Sequence, residues 1–254
     1  MQDILTCAMG LDIHRDVIVA CLAKGELGTD PEIEIRSFST LIPEMRKLRD
    51  WVLEAECRYV AMESTGIYWQ PIYEMLEPCF DGQINILVVN ARHMKNVPGR
   101  KTDMRDAQWI ATLLRAGLLK GSFIPDKTFR ELRHLTRYRK SIVRDITAQK
   151  NRIDKFLQSS GFRFTAFLSD AFGASGRNII RHLMEYGNIS REALDRCLKT
   201  QTRKRIDEIL IALNGSLSEH QRGFLRMIFG HLEALEQHRH TVEDAITKEI
   251  TKHE

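Results

Sequence analysis

The sequence predicts an α/β domain over residues 1–125, followed by an all-α region over residues 126–254. Two observations lead to this fold class. Strand-like and helix-like runs alternate up to about residue 125, and a seven-residue apolar period replaces them from residue 126. A hydrophobic content of 43% in 254 residues is enough for packed cores and excludes global disorder. No apolar run approaches the roughly 18–20 residues of a membrane span, so no membrane contact is expected.

Five runs in the first domain have the apolar or alternating pattern of β-strands. The last of them, INILVVN, is continuously apolar, which predicts a strand that is buried on both faces. The five runs cover residues 6–13, 17–23, 33–38, 59–63 and 84–90.

Three helices are predicted between and after these strands. The first follows the third strand, and the second extends from Tyr68 to Glu77, with Pro71 in its first turn. The third covers residues 103–116, and Gly117 is placed to stop it. The resulting order is three strands, helix, strand, helix, strand and helix, which is the element order of a ribonuclease H-like domain.

Apolar residues at heptad spacing predict two long helices in the second region. The first covers residues 126–159, and the second covers residues 218–253, where Ser218 and Gln221 form a capping box. A small helical insert over residues 161–217 separates them. The two seams leave two arrangements open, an antiparallel arm within the chain or a coiled coil between two copies.

The net charge of +4 conceals an uneven distribution of charge along the chain. Residues 1–90 hold 7 basic and 15 acidic residues, whereas residues 91–125 hold 7 and 2, and residues 126–155 hold 10 and 4. An acidic front is therefore followed by a basic belt. This asymmetry indicates a polyanionic partner such as nucleic acid.

The cysteine pattern and the N-terminus bear on the cellular compartment. The five cysteines are scattered and form no C-x-x-C pair, which argues against a disulfide framework and a zinc site. The first ten residues, MQDILTCAMG, lack the cationic and apolar segments of a signal peptide. These observations predict a cytoplasmic protein.

Four carboxylates fall where predicted strands end and the third helix begins. Asp12 ends the first strand, Glu63 ends the fourth, and Asp103 and Asp106 share one face of the helix start. Taken singly, each aspartate is interpreted as a cap or a solvated charge, but strand ends and helix starts meet at one sheet edge. Four carboxylates there repel one another unless a cation neutralises them. The set therefore predicts a catalytic site for Mg²⁺ or Mn²⁺ and metal-assisted phosphodiester chemistry.

Four neighbours of these carboxylates are interpreted separately. Asp16 falls in the turn after the first strand, and both it and His14 are interpreted as structural or peripheral. Tyr68 and Trp69 follow the fourth strand and could stack on a nucleobase, although Trp69 is favoured as a core residue.

Basic residues beside the aspartates and along the first long helix are candidates for nucleic-acid binding. They could hold phosphates while metal ions occupy the carboxylates; charge balance or a solvated helix face are the alternative interpretations. The candidates are Arg100, Lys101, Arg105, Arg130, Arg133, Arg137, Arg139, Lys140, Arg144, Lys150 and Arg152.

The chain closely resembles the insertion-sequence transposases with a RuvC-like DEDD domain, the insertion-sequence one-ten family that includes the Piv DNA invertase. The matching segments are GLDIHRDV, VAMESTGIYW, NVPGRKTDMRDAQWIATLLRAGLL and FIPDKTFRELRHLTRYRKSIVRD. The later segments LSDAFGASGRNII and LNGSLSEHQR also resemble the helical middle region of the family. The resemblance covers essentially the whole chain. It implies a RuvC-like catalytic domain in which Asp12, Glu63, Asp103 and Asp106 bind the metal ions.

The resemblance also implies partners and a missing part. Family members use a structured bridge RNA that pairs with donor and target DNA, and they assemble as dimers of dimers in prokaryotic cytoplasm. They continue past the second long helix into a small domain that supplies a serine nucleophile, and no matching segment follows here. We therefore expect a homodimer or tetramer of a chain that does not complete strand exchange alone.

The residues leave other functions open. A stand-alone structure-specific nuclease, such as a Holliday-junction resolvase, needs no serine, and a non-catalytic nucleic-acid-binding module would dimerise through its arms. A sugar-kinase-like ATPase is disfavoured because Asp12 is followed by Ile-His-Arg-Asp rather than by a Gly/Thr-rich turn.

Overall fold

A computed structural model describes residues 3–64, 66–90 and 106–252 of the chain. The chain divides into two compact units, Met1–Ile124 and Pro125–Glu254. Within the described ranges, no helix has both the length and the apolar character that crossing a membrane requires.

The first unit holds a five-stranded mixed sheet whose spatial order is β3-β2-β1-β4-β5. Strands β1 to β3 pair antiparallel, whereas β4 runs parallel to both β1 and β5. This arrangement is the ribonuclease H-like topology that the element order predicts. The strands are β1 (Cys7–Ile13), β2 (Val17–Lys24), β3 (Glu32–Ser39), β4 (Tyr59–Glu63) and β5 (Asn85–Val89).

In the described part of this unit, three helices cover the sheet: α1 (Ile42–Glu54), α2 (Gln70–Leu76) and α3 (Asp106–Arg115). The two faces of the sheet differ in side-chain size, because successive residues of a strand point to opposite sides. Met9 and Leu11 of β1 belong to a core of large side chains that also contains residues of α1 and α2. The face that meets α3 is built mainly from small residues, which lets this helix approach the strands closely.

The fifth strand differs from the sequence expectation. Val88 and Val89 are buried, but Ile86 and Leu87 are only half-buried and Asn85 is exposed. The expectation of burial on both faces is wrong for the first half of β5, because this strand lies at the edge of the sheet. An apolar run alone does not distinguish an edge strand from a central one.

The second unit is helical and has one hydrophobic core. Its two long helices are α4 (Lys127–Ser159) and α9 (Glu219–Thr251), and Ser218 and Gln221 form the capping box at the start of α9. The intervening helices are α5 (Ala174–Tyr186), α6 (Arg191–Cys197), α7 (Thr200–Arg203) and α8 (Ile206–Ala212).

Helices α4 and α9 pack antiparallel within the chain. The Tyr138 hydroxyl lies 2.8 Å from Nε2 of His238, and farther along α4 the Phe156 ring lies 5.0 Å from the Phe224 ring. Of the two arrangements that the seams left open, the structure has the antiparallel arm. Gln149, a polar interruption of the seam, is buried and donates a hydrogen bond from Nε2 to the Ile228 carbonyl at 2.6 Å.

Candidate functional site

Asp12 and Glu63 lie at the same level on adjacent parallel strands. Leu11 of β1 pairs with Met62 of β4, so the next position along each strand is a carboxylate. Side chains at one register level of a ladder project to the same face of the sheet. For Asp12 and Glu63 this is the face of Gly10 and Ala61, the small residues beneath α3.

Helix α3 brings a third carboxylate to this face, because Asp106 is its first residue. A carboxylate at a helix N-terminus is favoured by the helix dipole. Gly10 permits the close approach, since a Cβ there would lie 2.2 Å from the Ala107 carbonyl oxygen and 2.4 Å from the Ala111 nitrogen. The three carboxylates are thus held by β1, β4 and the first turn of α3.

The pKa of Asp12 is raised above its ordinary value. Burial is the largest cause, and repulsion from Asp106 and Glu63 adds to it, whereas His14 acts in the opposite direction. The Asp12 carboxylate is therefore a desolvated group among like charges. A bound cation would relieve this condition.

His14 contacts Asp12, with Nε2 at 3.2 Å from Oδ2. Of the two roles expected for His14, structural or peripheral, this contact favours the structural one, whereas Asp16 is 86% exposed in the turn. The sequence contained a signal for this contact. Asp12 and His14 are two residues apart, and residues at this spacing share one face of an extended chain.

We expect Asp12→Asn to stabilise the first unit at neutral pH in the absence of divalent cations. Because its folded-state pKa is raised, ionised Asp12 destabilises the folded state above that pKa, and the penalty disappears below the ordinary pKa of aspartate. Urea denaturation in a chelator should show a higher free energy of unfolding for the variant at neutral pH. Wild-type and variant stabilities should converge at acidic pH, and equal stabilities at neutral pH would contradict the assignment.

Four predicted site residues lie outside the described residues: Asp103, Arg100, Lys101 and Arg105. Among the residues that are described, no group of three or more His, Cys, Asp or Glu side chains is arranged to hold a metal ion. Asp12, Glu63 and Asp106 nevertheless interact electrostatically, and their carboxylate oxygens are the donors that Mg²⁺ and Mn²⁺ prefer. The donor chemistry therefore fits a hard divalent cation.

The eight cations of α4 that are candidates for nucleic-acid binding fall into two groups. Arg139 pairs with Glu243 at 2.6 Å, Arg130 donates to the Pro125 carbonyl at 2.9 Å, and Arg152 donates to Gln149. The Lys150 ammonium lies 5.6 Å from the centre of the Phe172 ring. These four cations already interact within the chain.

The other four cations form a surface that we call the basic stripe: Arg133, Arg137, Lys140 and Arg144. Their spacing of four, three and four residues puts them on one side of α4, over roughly 16 Å of helix. All four are exposed, whereas Ile142 and Ile146 on the other side are buried in the helical core. Within the described ranges, no acidic side chain forms an ion pair with any of the four.

Comparison with known proteins identifies the family. Residues 9–161 match the sequence model of a transposase family, the DEDD transposases of the IS110 type. No curated protein matches the chain at a significant level.

Two solved structures of RuvC from Thermus thermophilus are similar to part of the chain. The first has 12% sequence identity and a TM-score of 0.31, and it covers 46% of this chain and 99% of RuvC. The second, RuvC in complex with a Holliday junction substrate, has 13% identity and a TM-score of 0.28, and it covers 46% and 100%. Because the family match spans more than half of the sequence, this chain belongs to the IS110 family of DEDD transposases.

Proposed function

We propose that the chain performs the metal-dependent phosphodiester chemistry of an insertion-sequence transposase or site-specific recombinase acting on DNA. The observation that carries this proposal is the placement of Asp12 and Glu63 at one level of adjacent parallel strands, with Asp106 at the start of α3 near enough to help raise the pKa of Asp12. Like charges gathered on a half-buried sheet edge destabilise a protein unless they serve to bind a cation. Membership of a transposase family supports the same conclusion.

The four carboxylates that would hold Mg²⁺ or Mn²⁺ are Asp12, Glu63, Asp103 and Asp106. When bound, such ions activate the attacking oxygen and stabilise the leaving oxygen of a phosphodiester. The chain itself supplies rigid positions for two of the ligands, on the paired strands β1 and β4, and a third on the first turn of α3. The contact from His14 would restrain the orientation of the Asp12 carboxylate.

The nucleic-acid interface of the helical unit is proposed to be the basic stripe. The stripe presents four exposed cations on one side of a helix, and none of them has an acidic partner among the described residues. Phosphate groups of a nucleic acid would neutralise these charges. The cations that already interact within the chain, Arg130, Arg139, Lys150 and Arg152, are assigned a smaller role. Such an interface contacts the phosphate backbone of the nucleic acid and does not by itself give sequence specificity.

Replacing the four stripe residues together by glutamine should weaken DNA binding and its dependence on salt. Each lost phosphate contact lowers the slope of log K against log salt by about 0.9, so the slope should fall by roughly three to four units. Fluorescence anisotropy with a DNA duplex at several salt concentrations measures this. A slope equal to that of the wild type would contradict the assignment of the stripe.

A charge-matched variant controls for the loss of net charge. Lys199, Lys204, Lys248 and Lys252 are exposed lysines outside α4, and replacing them by glutamine removes the same charge. We expect this control to retain most of the wild-type slope. Equal losses in both variants would indicate a general electrostatic effect instead of a binding surface.

We propose that a bridge RNA guides the chain to its DNA, that two or four copies assemble, and that they act in the cytoplasm. Because the apolar sides of α4 and α9 are buried against each other and the insert, self-association would use other surfaces of these helices. Repeating the anisotropy experiment with an RNA duplex compares how strongly the basic stripe contributes to RNA binding and to DNA binding.

A further inference from the structure

The loop after Glu63 carries two exposed side chains that the proposed chemistry does not use. Gly66 to Trp69 lead from β4 towards α2, and at the tip Ile67 is 69% exposed and Tyr68 is 38% exposed. Isolated exposed apolar residues are common on protein surfaces and need no explanation. Here an aliphatic and an aromatic side chain are adjacent, directly after a strand that ends in a proposed metal ligand.

Contacts within the loop restrict the conformation of this tip. Gly66 has a φ of +58°, and a Cβ there would lie 3.5 Å from Cε2 of Tyr68, so the aromatic ring lies against the turn. The Gln70 amide donates to the Ile67 carbonyl at 3.2 Å, which closes the turn. Trp69 points to the core side, in an edge-to-face contact with Tyr73 at 5.8 Å. A ring held in this way loses little conformational freedom when it binds a ligand.

The charge of the surrounding segment limits what the tip can bind. The tip residues Gly66 to Trp69 carry no charge, and the segment from Tyr59 to Glu77 contains no lysine or arginine. The segment therefore offers no cation of its own to hold a phosphate. The part of a nucleic acid that is neutral, flat and able to stack on an aromatic ring is the base.

We propose that Ile67 and Tyr68 form a stacking site for an unpaired nucleobase, next to the phosphodiester that reaches the carboxylates. The inference rests on the proposed function, because it requires a nucleic acid at Asp12 and Glu63. Tyr68 supplies the stacking face, and Ile67 fills the space that a base leaves when it is displaced from its neighbours. The site distinguishes unpaired from paired bases because a stacked base in a duplex has no free face.

The test uses a DNA duplex with a central bulge that contains a fluorescent adenine analogue, and the same duplex without the bulge, both with Ca²⁺. With the wild type, we expect tighter binding of the bulged duplex and a change in fluorescence of the analogue on binding. Tyr68→Ala should weaken binding of the bulged duplex roughly 5- to 100-fold. Ile67→Ala should weaken it less, Tyr68→Phe should retain it, and binding of the paired duplex should not change in any variant.

Tyr59 is a matched control, because it is 39% exposed at the opposite end of β4. Tyr59→Ala should bind the bulged duplex as the wild type does. Wild-type affinity and fluorescence in Tyr68→Ala would overturn the stacking site while DNA binding itself stands. A wild type that binds neither duplex would overturn the proposed function as well. Unchanged DNA binding with altered sedimentation of Tyr68→Ala would assign the tip to a contact between copies and also overturn the proposal.

Discussion

Arg115→Met is expected to destabilise the first unit by about 3–5 kcal/mol. The Arg115 side chain is 2% exposed, and its guanidinium donates to the carbonyls of Leu5, Gly25 and Glu26 at 2.9, 3.2 and 2.9 Å. It also lies 3.3 Å from Oδ2 of Asp3. The methionine would fill most of the space but would leave three carbonyls without their donor and the Asp3 carboxylate without its ion-pair partner.

The change in the free energy of unfolding can be measured for the first unit alone. The three tryptophans of the chain, Trp51, Trp69 and Trp109, all lie in the first unit, so their fluorescence during urea denaturation reports its unfolding. Arg49→Met is the control, because Arg49 pairs with Asp50 on the surface and should change the stability by less than about 1 kcal/mol. Similar small losses in both variants would show that Arg115 does not connect α3 to the segments before β1 and after β2 in the way described.

Gly10→Ala is expected to destabilise the same unit by about 1–3 kcal/mol and to impair binding of divalent cations. The new methyl group would overlap with backbone atoms of Ala107 and Ala111, which cannot rotate away, so α3 must shift. Because Asp106 precedes Ala107, the shift changes the position of this carboxylate relative to Asp12. Gly10 is therefore a positioning residue for the carboxylate site.

Leu48→Ala separates loss of position from loss of stability. Leu48 is fully buried in the core on the other face of the sheet, and its truncation should cost about 2–5 kcal/mol. We expect Leu48→Ala to retain cation affinity and Gly10→Ala to lose it, as measured by calorimetry at a temperature where both are folded. Equal affinities would contradict the positioning role of Gly10.

Local sequence patterns were sufficient to predict most elements of this fold. Strands and long helices have periods of two and about 3.6 residues, and these periods are set by the chain itself. The capping box at Ser218 is equally local. Properties that depend on neighbouring elements could not be obtained in this way, such as the edge position of β5 and the short helix Thr200–Arg203.

The same distinction applies to the candidate site: some of its features follow from local sequence patterns, and others depend on how the elements pack. Asp12, Glu63 and Asp106 could be selected because strand ends and helix starts meet at one sheet edge. The spacing did not reveal that Gly10 determines how closely α3 approaches, since that requires the position of the helix. In the same way, the cations of α4 could be divided only once Glu243 of α9 was seen beside Arg139.

Binding of a divalent cation by the carboxylates of Asp12, Glu63 and Asp106 is tested most directly by calorimetric titration with Mg²⁺ or Mn²⁺. Asp16 is a matched control for Asp12, since it lies four residues away and is 86% exposed. We expect saturable binding by the wild type and by Asp16→Asn, and strongly weakened binding by Asp12→Asn. An Asp12→Asn isotherm that equals the wild-type isotherm would contradict the assignment of Asp12 as a metal ligand.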